Sequence, residues 1–136
     1  MELNKINSLV ELFFTKYEEK SSVQNQLFLK WLKDERNNAL TWKQVQNNII
    51  ILSHYLKKNL TKGDRCVLLS ENRPEWFIAD MAIMNAGGVT VPLFTSYSEK
   101  DYEYIIKDCE PKICIISNNI QFKKIKRLIS KETIVL

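Results

Sequence analysis

The chain has 136 residues, of which 45% are apolar and 26% charged, and carries a net charge of +4. That is the length of one ordinary domain and the balance of a protein that buries a core, which excludes a disordered chain and argues against nucleic acid as a partner. No apolar run approaches the ~18 residues of a bilayer-spanning helix, and the N-terminus lacks the apolar block of a secretory signal.

Leu3, Ile6, Val10, Phe13, Phe14 and Tyr17 recur at helical spacing and predict an amphipathic helix over 3–19. Leu27, Phe28, Leu29 and Trp31 predict a strand, Asn37-Asn38 a turn and Ala39-Leu40 a short returning strand, together a hairpin. Thr41-Trp42-Lys43-Gln44 reads as a capping box, and Val45, Ile49, Leu52 and Leu56 as the buried stripe of the helix it opens. Gly63 to Phe94 then reads as strand, turn, enclosed helix, glycine stop and strand. Cys66 to Leu69 is an apolar run of strand length. Asn72 is the expected N-cap, with Pro74 and Glu75 in the first turn and Gly87-Gly88 as the stop. Tyr97-Ser98 begins a further helix whose inner face is Tyr102, Ile105, Ile106 and Cys109, and Glu110-Pro111 ends it. Ile113 to Ile116 is an uninterrupted apolar strand. Phe122, Ile125 and Leu128/Ile129 mark one more helix, and Thr133 to Leu136 one more strand.

Helix, hairpin, then alternating helix and strand predict an α/β fold, a mainly parallel sheet flanked by helices with strands at 65–70, 89–94, 112–117 and 133–136. Because the chain stops inside an apolar strand, Thr133–Leu136 is expected to leave an open sheet edge that pairs with the remainder of a longer chain.

The polar cluster Asn72-Arg73-Pro74-Glu75 lies at a helix start beyond the carboxyl end of a strand, where open α/β sheets bind ligands. A helix cap with a surface arginine–glutamate pair accounts for the same residues, and that is the expectation. His54, the single histidine, lies off the buried stripe and is expected to be solvated. The three cysteines, Cys66, Cys109 and Cys114, lack metal-ligand spacing, and two sit in apolar strands; buried reduced thiols and a cytoplasmic setting follow. Trp42, Trp76 and Phe77 are expected in the core. Lys123, Lys124, Lys126, Arg127 and Lys131 form a basic stretch expected to be the solvated face of the last helix.

Several of these segments resemble one family in order and spacing. Thr41-Trp42, Lys62-Gly63-Asp64-Arg65, Ser70-Glu71-Asn72-Arg73-Pro74-Glu75-Trp76 and Ala86-Gly87-Gly88-Val89-Thr90-Val91-Pro92-Leu93 resemble the N-terminal region of adenylate-forming (AMP-binding) ligases, most of all long-chain fatty acyl-CoA synthetases. The similarity continues through Ser98 to Ser117 and covers roughly residues 26 to 136. It implies that 1–136 is the N-terminal portion of an AMP-dependent ligase domain, an incomplete N-terminal subdomain lying before the phosphate-binding loop. The resemblance implies a parent that adenylates a fatty acid with ATP and Mg2+ and then forms a thioester with coenzyme A. It also implies that the phosphate loop, adenine motif, hinge and late lysine lie downstream, so no catalytic, cofactor-binding or metal residue is assigned in this chain. The fragment is expected to be inactive alone and, for an enzyme of fatty acids, to allow peripheral membrane association. Two other readings stay open: a free-standing α/β binding or regulatory module, and an adenylation domain that serves a carrier protein.

Overall fold

The computed structural model describes residues 6–19, 22–33 and 36–136. Helix α1 spans Leu9–Glu19. It begins later than the periodicity predicts because the Ser8 hydroxyl accepts the Glu11 N–H at 3.0 Å and caps it there; positions 3–5 lie outside the described residues. Strands β1 (Leu27–Lys33) and β2 (Arg36–Thr41) pair antiparallel as the expected hairpin. The turn is not at Asn37-Asn38. Asn37 pairs with Leu32 and Asn38 with Trp31, and the register closes at Lys33 and Arg36. Cross-strand pairing on this two-stranded ribbon overrides the local turn preference of the asparagines.

Helix α2 (Trp42–Lys57) starts on the predicted box: Thr41 Oγ1 accepts the Gln44 N–H, and Gln44 Oε1 accepts the Thr41 N–H at 2.8 Å. Val45, Ile49 and Leu56 are fully buried. Leu52 is only half-buried, and its neighbour Ser53 is the fourth buried residue instead. The Ser53 hydroxyl donates to the Ile49 and Ala82 carbonyls and accepts from Asn85 Nδ2, so a small polar group brings α2 close to the next helix, α3 (Pro74–Asn85).

Strands β3 (Arg65–Leu69), β4 (Val89–Leu93), β5 (Ile113–Ile116) and β6 (Ile134–Val135) form one parallel sheet in the order β4-β3-β5-β6. Pro92 lies in β4, an edge strand. Val89 donates inward to Asp64, so Pro92, of opposite parity, turns its missing N–H away from β3. Helices α4 (Glu99–Cys109) and α5 (Asn119–Ile125) cover one face. There Val67, Leu69, Tyr102, Ile106, Cys114 and Ile125 are packed together, while Cys66, Ile78, Ile83 and Ile113 join the α2 and α3 side. Successive β3 residues thus face opposite layers, and the sheet is covered on both sides.

Helix α3 ends in a Schellman motif: Gly88 N–H donates to the Ile83 carbonyl and Gly87 N–H to that of Met84, with Gly87 at φ +86°. Gly88 serves close packing. A Cβ there would lie 3.0 Å from Ile83 Cγ2 and 3.2 Å from Leu60 Cδ1. Helix α4 carries a second capping box, Ser98 with Asp101. It closes at Glu110 in a left-handed conformation (φ 42°), as the following Pro111 disfavours another helical residue. The last predicted helix is shorter than expected: α5 stops at Ile125, and Leu128 and Ile129 pack from a turn against the α4 side of the sheet.

Candidate functional site

The chain leaves β3 through α3 to reach β4 on one side, then returns through α4 to β5 on the other. Crossovers departing in opposite directions open a crevice at the carboxyl ends of β3 and β5, where open α/β sheets take ligands. A cavity of about 220 Å³ lies there, with Leu68, Ser70, Ile116 and Ser117 at the strand ends and Arg73, Glu75 and Trp76 from the start of α3.

The turn into α3 corrects one expectation. The N-cap is Arg73, whose extended backbone makes no side-chain cap bond, with Pro74 following it; Asn72 is exposed one position earlier. Pro74 in the first helical position restricts Arg73 to extended geometry, which places the cap one residue past Asn72. Arg73 instead grips Glu75 with two parallel bonds, Nε to Oε2 at 2.8 Å and Nη2 to Oε1 at 3.0 Å, the surface pair that was expected. This bonding raises the Arg73 pKa. Trp42 and Phe77 pack in the aromatic cluster around Phe13 and Phe28, whereas Trp76 lines the cavity. Helical geometry turns adjacent residues about 100° apart, so Phe77 faces inward and Trp76 reaches the crevice.

Glu71 lies in the turn between Ser70 and Arg73, two residues that line the crevice. Its Oε1 accepts from Gln121 Nε2 at 2.8 Å and from Asn118 Nδ2 at 3.1 Å. A hydrogen bond from Ser117, with that of Gln121 and the turn's own backbone, holds its carboxyl at about 2, below its usual 4.5. Asn118 caps α5, accepting the N–H groups of Ile120 and Gln121. The sequence singled out neither Asn118 nor Gln121. The Asn118 cap is visible in residue type, but the buried Gln121 gives no local signal.

A larger depression, about 640 Å³, lies at the other end of the sheet between α4 and the turn at 127–133. Its lining mixes charges of both signs, Glu103, Lys107, Glu110, Lys112, Arg127 and Glu132. The crevice is therefore the better candidate despite its size, because it lies at the strands' carboxyl ends and gathers polar groups from two crossovers.

His54 is exposed on α2, as expected. All three cysteines are buried free thiols. Burial pushes Cys66 up to about 11 and Cys114 to about 12, and raises Cys109 as well. Lys123, Lys126, Arg127 and Lys131 are exposed, but Lys124 is half-buried and donates to the Thr95 carbonyl at 2.6 Å. Among the described residues no group of three or more His, Cys, Asp or Glu converges as a metal site. The crevice does not fit a triphosphate: Arg73, the cation among its lining residues, is committed to Glu75, which brings anionic charge to the same mouth.

The AMP-binding enzyme family matches residues 16–136, and the chain belongs to that family. It is 30% identical over 89 residues to the long-chain-fatty-acid–CoA ligase ACSBG2 of Xenopus laevis, covering 65% of this chain and 12% of that protein. It is 29% identical over 101 residues to a mycosubtilin synthase subunit of Bacillus subtilis, covering 74% of this chain and 4% of that one. The fold is that of adenylate-forming ligases: ATP-bound MatB from Rhodopseudomonas palustris superposes with a TM-score of 0.75 at 23% identity, over 90% of this chain and 24% of that structure. The chain thus spans a quarter or less of the length of each of these three proteins.

Proposed function

We propose that this chain supplies the scaffold at the front of an ATP-dependent ligase that joins long-chain fatty acids to coenzyme A. The observation that carries the reading is the similarity, over 89 residues, to a long-chain-fatty-acid–CoA ligase. On this reading the triphosphate, Mg2+ and coenzyme A are held by parts of the ligase outside the matched stretch. ATP supplies the adenylate that activates the carboxylate. The residues present here shape one wall: β3 and β5 fix the strand ends, the Arg73–Glu75 pair closes the first turn of α3, and Trp76 gives the crevice an apolar side. No proton transfer or bond-breaking step belongs to this chain.

The test is acid-dependent ATP–pyrophosphate exchange. The 136-residue protein alone should show none, and exchange above background would overturn the scaffold reading. The product of the full reading frame should form palmitoyl-CoA from palmitate, ATP and coenzyme A. The similarity to a mycosubtilin synthase favours a second reading, an adenylation module that loads a carrier protein. Transfer to a phosphopantetheinyl carrier but not to free coenzyme A would establish that one instead. We place the protein in the cytoplasm with peripheral membrane contact, which fractionation tests; among the described residues no helix is long and apolar enough to cross a membrane.

A further inference from the structure

The two lips of the crevice are far apart in sequence but joined by one side chain. Glu71, in the turn after β3, accepts hydrogen bonds from residues 47 and 50 positions later, Asn118 and Gln121. Asn118 passes the link on, because its Oδ1 accepts the first N–H groups of α5 and its Nδ2 also donates to Ser117 Oγ at 3.2 Å. Ser117 N–H in turn donates to the Leu69 carbonyl at the end of β3. Gln121 is only 6% exposed, and its Oε1 has no partner among the described residues. Its Nε2 donates to Glu71 Oε1 at 2.8 Å. Turning the amide over would set its oxygen against a carboxylate, so the orientation is determined. A buried amide bonded to an otherwise exposed carboxylate ties the outer turn to the body of the fold.

We propose that Glu71 is a positioning residue, a clasp that fastens the β3–α3 turn to the start of α5 and holds the crevice lips at a set spacing. This goes beyond the activity assigned above and does not depend on it, since an occupant of any kind would meet the same preformed walls.

Amide hydrogen exchange on the 136-residue protein tests it. The reporters are the N–H groups of Trp76, Ser117, Ile120 and Gln121, each bonded within a lip or across it. In Glu71→Ala these amides should exchange roughly tenfold faster or more while those of α2 are unchanged, the pattern of a local opening. Glu71→Gln retains a carbonyl oxygen that can accept both bonds and should restore most of the protection. Unchanged reporters in Glu71→Ala, or equal acceleration throughout the chain, would overturn the clasp. Should Glu71→Ala fail to fold, Gln121→Met decides. It removes the shorter bond without leaving a buried amide, and the Trp76 and Ser117 amides should exchange several-fold faster; wild-type rates there would sink the proposal.

Discussion

Adding one methyl group at Gly88 tests how tightly α3 is laid against the sheet. Gly88 does not use a left-handed backbone, so alanine meets no conformational objection there. On backbone grounds alone, Gly88→Ala should stabilise by ~0.4–1 kcal/mol, because the unfolded chain loses freedom. The packing opposes this. The new Cβ would stand 3.0 Å from Ile83 Cγ2, 3.2 Å from Leu60 Cδ1 and 3.4 Å from the Asp64 carbonyl. Ile83 is fully buried and Leu60 nearly so, and the Asp64 carbonyl already accepts the Val89 N–H at 2.8 Å. The Asp64 carbonyl is backbone and the Ile83 methyl is enclosed, so room for the new atom must come from the Leu60 tip or from a shift of the α3–β4 junction. Overpacking of this kind costs about 1–3 kcal/mol. Subtracting the chain-entropy gain leaves a net destabilisation of about 0–2.6 kcal/mol, centred on roughly 1.3. For a domain of this size the central value corresponds to a melting temperature lower by roughly 3–10 °C. Urea unfolding should show the midpoint falling with an unchanged slope. Combined with Leu60→Ala, which removes the methyl that the new Cβ meets, the two costs should sum to less than their separate values. Gly63→Ala is the control: nothing lies within 4 Å, but φ is +89°. Its cost, about 1 kcal/mol, comes from backbone conformation and should not respond to Leu60. A Gly88→Ala protein more stable than the wild type would show that the junction is loose and refute the packing argument.

Two further outcomes follow from the titratable groups. The Glu71 carboxyl is held at about 2 against its usual 4.5, so its contribution is present above 4.5 and is lost as pH falls toward 2. Because Glu71 is exposed, solvent screening limits this to about 1 kcal/mol; the wild type should lose more stability than Glu71→Gln between pH 5 and pH 3 in urea titrations, and parallel losses would remove Glu71 as the cause. The buried thiols of Cys66, Cys109 and Cys114, all with raised pKa values, should resist alkylation in the folded protein at neutral pH and react together on unfolding. Rapid labelling of any one by iodoacetamide in native buffer would contradict its burial.

Local chemistry explains what could be read in advance. The Thr41–Gln44 and Ser98–Asp101 boxes each close within three residues, so their partners are visible in the string itself. The apolar runs at Cys66–Leu69 and Ile113–Ile116 and the glycine pair after α3 likewise carry their own signals, and the parallel sheet followed from their alternation with helices. Readings failed where a competing constraint, from a neighbouring residue or from a partner on another element, outweighed a local preference. Asn37 and Asn38 have turn chemistry but are held in β2 by Leu32 and Trp31, and Asn72 has cap chemistry but is displaced by the geometry Pro74 imposes on Arg73. Leu52 fits the α2 stripe by type, yet Ser53 is the residue buried, because only a small hydroxyl lets α2 approach Ala82 and Asn85.

The candidate site divides along the same line. Ser70 to Trp76 stands out in the sequence as a strand-to-helix turn with charge and an aromatic, and its place at a carboxyl strand end follows from the predicted elements. The strand order β4-β3-β5-β6, which makes that turn one wall of a crevice, arises from packing alone. So does the meeting of Glu71 with Asn118 and Gln121, since the hydrogen bonds span about fifty positions and carry no periodicity. Residue type and spacing encode interactions that close within a turn or two of chain, whereas contacts between crossovers exist only once the sheet has brought its strand ends side by side.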